Sequence, residues 1–243
     1  MPRVAWLGLH YFCTMKKFLS IIICFVAALN VWAGDDDDYI KVDWYPLFTD
    51  SVGWNIYSGG FVVGWNNASG IETDMGHSME LGWLNVVGAK FNSGHGQRIT
   101  IGVGIDWRNF RLEKGQRFVT GDEKVAIVPY PEGATSQLSR VKVFSLTVPL
   151  LIRQRLFGKM DIFAGPVVNF NLHASALTRY TLDGETITEK SNNIHQVPVT
   201  VDVMGGLKWG FLGAYVRYNP CHVLKEAHAP AFTSLTAGIF MGF

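Results

Sequence analysis

The chain has 243 residues, of which 17% are charged, 13% aromatic and 26 glycine, with 21 basic against 20 acidic side chains. A single all-β barrel reaches this length undivided. A net charge of +1 lacks the basic footprint that phosphate backbones require, so no nucleic-acid partner is expected. A hydrophobic fraction of 48% argues against a disordered chain. Helical membrane spans would need several apolar runs of about 20 residues, and only residues 18–33 approach one.

That first run reads as an export signal. Met15-Lys16-Lys17 is its basic start, Phe18 to Leu29 its apolar core, and Val31-Trp32-Ala33 ends it on a small residue. Residues 1–14 then read as an extension upstream of the signal that begins at Met15. Cleavage after Ala33 leaves a periplasmic segment, 34–52, headed by Gly34 and the solvated run Asp35–Asp38. Ile23 precedes Cys24 where a lipoprotein signal needs a small residue, so lipidation is not expected. Three basic groups leave with residues 1–33, so 18 basic face 20 acidic side chains, a net −2. Cys221 alone remains of three cysteines, which excludes an internal disulfide and CxxC-type zinc sites.

Beyond residue 50 apolar residues recur with period two, the strand signature. Two weaker stretches, near 54–66 and 78–92, come first. Ile99, Ile101, Val103, Ile105 and Trp107 follow, opposed by Arg98, Thr100, Gly102, Gly104 and Asp106. Phe144 to Ile152, Ile162 to Leu172, Val197 to Val203, Leu212 to Tyr218 and Leu235 to Phe243 alternate in the same way. The count is eight strands.

A soluble sandwich or lipocalin-like barrel also carries one apolar face, turned inward. Three features favour a membrane barrel. Connections alternate in length, long at 66–77, 112–138, 176–192 and 222–231, tight at 92–96, 157–159 and 205–210, as in outer-membrane barrels. Many segments reach the about 9–11 residues of a tilted membrane strand, and their opposite face mixes glycine with charge, as a narrow hydrated lumen would. The chain also closes on alternating apolar residues ending at Phe243, and Trp65, Trp107, Tyr218 and Phe243 are candidates for interfacial girdles. The expectation is an all-β, eight-stranded, antiparallel, up-and-down transmembrane β-barrel over 53–243 in the outer membrane, both termini periplasmic.

The stretches Ser78-Met-Glu-Leu-Gly-Trp-Leu-Asn, Gly102-Val-Gly-Ile-Asp-Trp-Arg-Asn-Phe-Arg-Leu, Ser145-Leu-Thr-Val-Pro-Leu-Leu-Ile-Arg and Gly238-Ile-Phe-Met-Gly-Phe resemble small outer-membrane β-barrel proteins of the PorT-like group. The resemblance covers most of 53–243 and implies the fold far more than an activity. It carries over no catalytic residues and no cofactor. It also implies a partner, the barrel-assembly machinery, reading the terminal strand that ends at Phe243.

On the inward parity Glu80, Arg98, Asp106, Arg108, Arg153, Asp161, Asp202 and Arg217 are expected to pair as an ionic plug, since an eight-stranded barrel has room only for side chains. A small porin-like passive pore is the alternative. A lipid hydrolase is a second alternative: His173 and Ser175 share a strand face, Glu185 follows, and together they could form a base, nucleophile and orienting carboxylate. Outer-membrane lipid A deacylases use a similar His-x-Ser with a downstream Glu, but Ala176 stands where that pattern has Asn, and His173 falls on the lumen parity. His77, Ser78 and Glu80 form a tempting cluster, but adjacent residues on a strand face opposite ways, so it reads as loop-end polarity. Gly102-Val-Gly lacks the following helix of a phosphate loop and reads as relief of crowding. The histidines show no metal-binding spacing. No catalytic, cofactor-binding or metal site is therefore assigned. The chain reads as a non-enzymatic barrel whose outer loops, the longest at 113–137, bind a partner or surface glycan, or which supports envelope integrity.

Overall fold

The computed structural model describes residues 53–242, except 72, 94–95, 122–123, 193 and 226–228. The signal, the 34–52 segment and Phe243 lie outside the described residues. Alternating sequence yields twelve strands: β1 (Gly53–Tyr57), β2 (Phe61–Ser69), β3 (Met79–Asn92), β4 (Gln97–Arg111), β5 (Gln116–Thr120), β6 (Val125–Pro129), β7 (Thr135–Phe157), β8 (Met160–Leu182), β9 (Glu185–Ser191), β10 (Val199–Trp209), β11 (Leu212–Asn219) and β12 (Thr233–Met241).

Eight of them close into a ring, in the order β2-β3-β4-β7-β8-β10-β11-β12 and back to β2, each antiparallel to its neighbours. The closing seam runs unbroken from Thr233↔Ser69 to Met241↔Phe61. Closure leaves no open edge for association, which is the physical gain of a barrel. β1 continues the line of β2 along β3, pairing Gly53↔Asn92 to Tyr57↔Gly88, while β2 pairs Phe61↔Trp83 to Trp65↔Met79. The two are interrupted at Gly60, where a Cβ would lie 1.8 Å from the Met241 carbonyl oxygen. Only glycine allows that backbone approach.

Strands meet in tight turns at one end, at 158–159 and 210–211, with Ser93 N donating to the Gln97 carbonyl between β3 and β4, and in long connections at the other. The third turn is shorter than the expected 205–210, because Gly205, Leu207 and Trp209 continue the β10 ladder against β8 and β11. The long connections also contain structure that alternation did not reveal. β5 and β6 form a hairpin inside 112–138. β7 and β8, of 23 residues each, run far past the other strands, and β9 folds back on β8. Asp183-Gly184 turns this last hairpin, with φ of 50° and 85°, the pattern of a type I′ turn.

The distribution of polarity is inverted relative to a soluble barrel. Ile99, Ile101, Val103, Trp107, Leu150, Val216 and Ile239 are exposed on the outside, whereas Glu80, Asp106, Arg108, Asp202 and Arg217 are buried inside. Aromatic residues flank the outward band. Trp65, Trp107 and Tyr218 are exposed toward the loop end, and Phe61, Phe157, Trp209 and Phe211 toward the turn end. Phe61 stacks on Trp83 at 4.8 Å, Trp107 on Phe144 at 5.0 Å, and Phe157 meets Trp209 edge-on at 6.4 Å.

The inside is layered. It is not the hydrated lumen that the glycines and charges suggested. At the loop end Phe110, Val141, Val143, Ala174, Ile194, Leu224 and Phe232 pack with Phe118 and Val125 of the β5–β6 hairpin. Toward the turn end Val62, Leu84, Leu151, Phe163, Val167, Met204, Tyr215 and Phe240 form a second apolar layer. The ionic groups lie along the strands between these two layers. Apolar residues of the nominally polar parity make both layers, so neither interior end is a water column.

Candidate functional site

Five charged side chains from four strands converge in the middle of the barrel. Arg217 of β11 donates from Nη1 to Glu80 Oε1 at 2.7 Å and to Asp106 Oδ2 at 3.0 Å. Its Nε donates to Asp202 and its Nη2 to Asn169 Oδ1. Arg108 approaches Asp106 at 3.4 Å and Asp202 at 3.5 Å. Glu80 and Arg108 face each other directly across β3 and β4, so register places opposite charges on one layer. The remaining expected members of the plug, Arg98, Arg153 and Asp161, sit instead near the tight turns.

Three carboxylates here face two guanidinium groups. Asn169 accepts from Nη2, the third donor nitrogen of Arg217, and in turn donates to Thr200 Oγ1 at 3.3 Å. Above it, Ser145 donates to Asn171 at 2.7 Å, and Thr236 donates to Asn66. The ionic network ties β3, β4, β8, β10 and β11 together through their inner faces, and the separate side-chain bonds join β7 to β8 and β2 to β12. The network is a structural lock across the middle of the barrel.

The hydrolase constellation is not assembled. Opposite Phe144 and Ser145, β8 carries one extra residue, with Phe144↔His173 followed by Ser145↔Asn171. This bulge at Leu172 inverts the parity of everything after it. His173 is therefore exposed outside, not in the lumen, while Ala174 and Ala176 turn inward. Ser175 shares the outward face with His173, but Glu185 pairs with Leu182. Seven strand steps separate that row from Ser175, about 23 Å at ~3.3 Å per residue. His77 bonds Asp74 at 2.8 Å, Ser78 caps the backbone of Arg111, and Glu80 enters the ionic cluster. Those three neighbours thus serve three separate ends. A Cβ on Gly102 would lie 2.2 Å from Asn85 Oδ1, so the Gly102-Val-Gly stretch answers interior crowding beside the Leu84–Asn85 bulge.

The loop end carries a built platform. Phe118 N donates to Ser139 Oγ at 2.9 Å, and Thr178 Oγ1 donates to the Phe118 carbonyl at 2.8 Å. These buried bonds clamp the β5–β6 hairpin onto β7 and β8. Arg117 pairs with Glu189 of β9 at 3.2 Å and lies 5.1 Å over the Tyr180 ring, which Tyr130 meets edge-on. Beside this clamp opens a cleft of about 490 Å³ lined by Arg111, Lys114, Gln137 and Arg179, with no carboxylate in its wall among the described residues. Of these, Lys114 and Gln137 fell in the long loop 113–137 and Arg111 in the stretch from Gly102 to Leu112, while Arg179 fell in the connection 176–192. Arg111 and Arg179 come to the cleft through the extended β4 and β8 that alternation had ended early.

Together these features define a closed, up-and-down antiparallel barrel of eight strands, ionic within and apolar without. No family model matches the chain, and no curated relative does. Among solved structures it is similar to Neisserial surface protein A, at 14% identity and a TM-score of 0.38 over 79% of this chain and 99% of that one. It is also similar to Ail, the attachment invasion locus protein of Yersinia pestis, at 10% identity and a TM-score of 0.32 over the same shares. Likenesses of this size carry no functional inference to this chain.

Proposed function

We propose that this protein is an integral outer-membrane barrel, non-enzymatic, whose loop end binds an acidic ligand at the surface. The observation that supports the membrane placement is the inverted polarity: an apolar exterior around buried charges would be costly in water and favourable in lipid. The outward run 99–107 has the length of a tilted membrane strand. Tight turns then face the periplasm and long connections the exterior, with β7, β8 and β9 carrying the clamped hairpin beyond the bilayer. Kinship with the PorT-like group, and insertion by the barrel-assembly machinery through the strand ending at Phe243, belong to the same reading.

The cleft favours an acidic ligand, because Arg111, Lys114 and Arg179 converge without a facing carboxylate among the described residues. Cells displaying the protein are expected to retain a sulfated polysaccharide in a salt-sensitive manner. The combined change Arg111→Gln, Lys114→Gln and Arg179→Gln should reduce that retention at least tenfold while leaving display unchanged. Equal retention by parent and variant would sink the ligand assignment.

A passive pore is disfavoured by the two apolar layers and the ionic lock between them. The purified barrel in planar bilayers is expected to show no step conductance. Regular steps that persist after removal of the loops would reject the occluded interior.

A further inference from the structure

Above the aromatic residues that flank the loop end of the outer wall, four neighbouring strands present a basic belt. Trp107 of β4 and Phe144 of β7 face each other across the ladder, and two steps nearer the loops Asn109 faces Lys142. Two steps beyond that, Arg111 faces Arg140. The same row continues through Leu177 of β8 to Lys190 of β9, and Arg179 stands in the next outward row, between Leu138 and Thr188. The alternate residues Phe110, Val141, Ala176 and Thr178 are buried inside, so the five cations share the outer face. Lys142, Arg179 and Lys190 are exposed, and Arg111 and Arg140 partly so.

None of these five side chains has a hydrogen bond or an ion pair among the described residues, and Arg140 holds a buried Nε without a partner. Nearby carboxylates are engaged elsewhere: Glu189 pairs with Arg117 on the inner side, and Asp74 bonds His77. Glu113, just past β4, is exposed and pairs with none of the five. Like charges directly opposite, as in Arg111 and Arg140, destabilise a strand pair unless an anion joins them. With strands tilted about 35–45° and rising ~3.3 Å per residue, Lys142 stands about 5 Å and the Arg111–Arg140 row about 10 Å above the Trp107–Phe144 pair. Aromatic belts mark the boundary of membrane and water, so the cations stand at the level of lipid head groups. Long basic side chains lay their stems on apolar surface there and hold their heads in the polar layer.

We propose that this belt binds the anionic phosphate heads of lipids in the adjoining leaflet, with Arg111 and Arg140 holding a phosphate between them and Lys142, Arg179 and Lys190 adding charge along the wall. Guanidinium forks suit pairs of phosphate oxygens, and ammonium groups act as point charges. An apolar band with a basic belt directly above it complements both parts of an anionic lipid, tail and head, whereas a soluble polyanion would use the charge alone. The inference rests on the membrane placement proposed above. It goes beyond the loop-end cleft, with which it shares Arg111 and Arg179, because Arg140, Lys142 and Lys190 lie outside the cleft lining.

The test folds the full chain into phosphatidylcholine vesicles, alone or mixed with phosphatidic acid, and compares urea midpoints at low ionic strength. The parent is expected to unfold at higher urea in the mixed vesicles. That gain should vanish in about 1 M salt, where the screening length falls to about 3 Å. The combined change Arg140→Gln, Lys142→Gln and Lys190→Gln should lose most of the gain, and Lys142→Gln with Lys190→Gln, both on exposed wall, should lose part of it. Lys124→Gln, at the tip of the β5–β6 hairpin, should keep it. A parent that folds into both vesicles with equal midpoints overturns the belt and leaves the membrane placement standing. A parent that enters neither overturns the placement, and the belt with it. Equal gains in the parent and the double variant overturn the assignment to these residues.

Discussion

Replacing Arg217 by leucine is expected to cost about 3–5 kcal/mol, the range for removing one partner of a buried ion pair. Arg217 is the group that touches Glu80, Asp106 and Asp202 at once. Without it three buried carboxylates would face Arg108 alone. Set against a total of about 5–15 kcal/mol for a domain, that loss should abolish most of the compact form that migrates fast on an unboiled gel. Arg217→Lys should fall between, because it keeps the charge and loses the fork that reaches four acceptors. Asp106→Asn should be tolerated within about 1 kcal/mol, since it lowers the charge of a cluster already one carboxylate in excess. It should also recover part of the Arg217→Leu loss, a non-additivity expected of residues in one network. Full additivity of the two changes would contradict the shared network.

The second large effect comes from the outer wall. Val216 lies between Tyr215 and Arg217, half exposed and level with the ionic cluster. Val216→Arg should destabilise the barrel in lipid vesicles by about 2–4 kcal/mol, the cost of arginine on the lipid face near the midplane. Ser69→Arg, at the loop end of β2, should cost about 0–1 kcal/mol by the same depth dependence. In a water-soluble barrel both would be surface changes worth about ±0.5 kcal/mol. Urea or guanidinium titration of the three proteins in vesicles gives the comparison directly. Near-equal midpoints for Val216→Arg and the parent would place that wall in water.

Period-two alternation was enough to find eight strands, their antiparallel order and the central charges. The alternate positions 99–107 and 235–241 report burial directly, because each neighbouring residue turns to the opposite face. Alternation fails where a strand carries an extra residue. The single extra residue at Leu172 shifts parity without changing composition, whereas the two extra residues between Trp83 and Val87 leave it unchanged, so His173 looked lumenal and is external. It also says nothing about hairpins above the wall. β5 and β6 bury Phe118 and Val125 against the loop-end layer, β9 adds to the edge of β8 with no buried residue, and their short mixed sequences resemble loops. Inner apolar layers escaped for a different reason. Phe163, Met204, Tyr215 and Phe240 stand on the parity that also carries charge, and a strand apolar on both sides gives no contrast to read. The buried cations near the tight turns were half visible: Arg153 was placed inside, whereas Lys208 lay in a stretch taken for a turn.

The most direct measurement of the central structural assignment is quenching of a single tryptophan at position 107 by lipids brominated along the acyl chain. The other seven tryptophans are replaced by phenylalanine, and the protein is folded into vesicles. An exterior that faces lipid requires strong quenching of Trp107 that depends on bromine depth. A water-soluble barrel would leave Trp107 unquenched by every brominated lipid and open to iodide from solution, and that result would contradict the membrane placement.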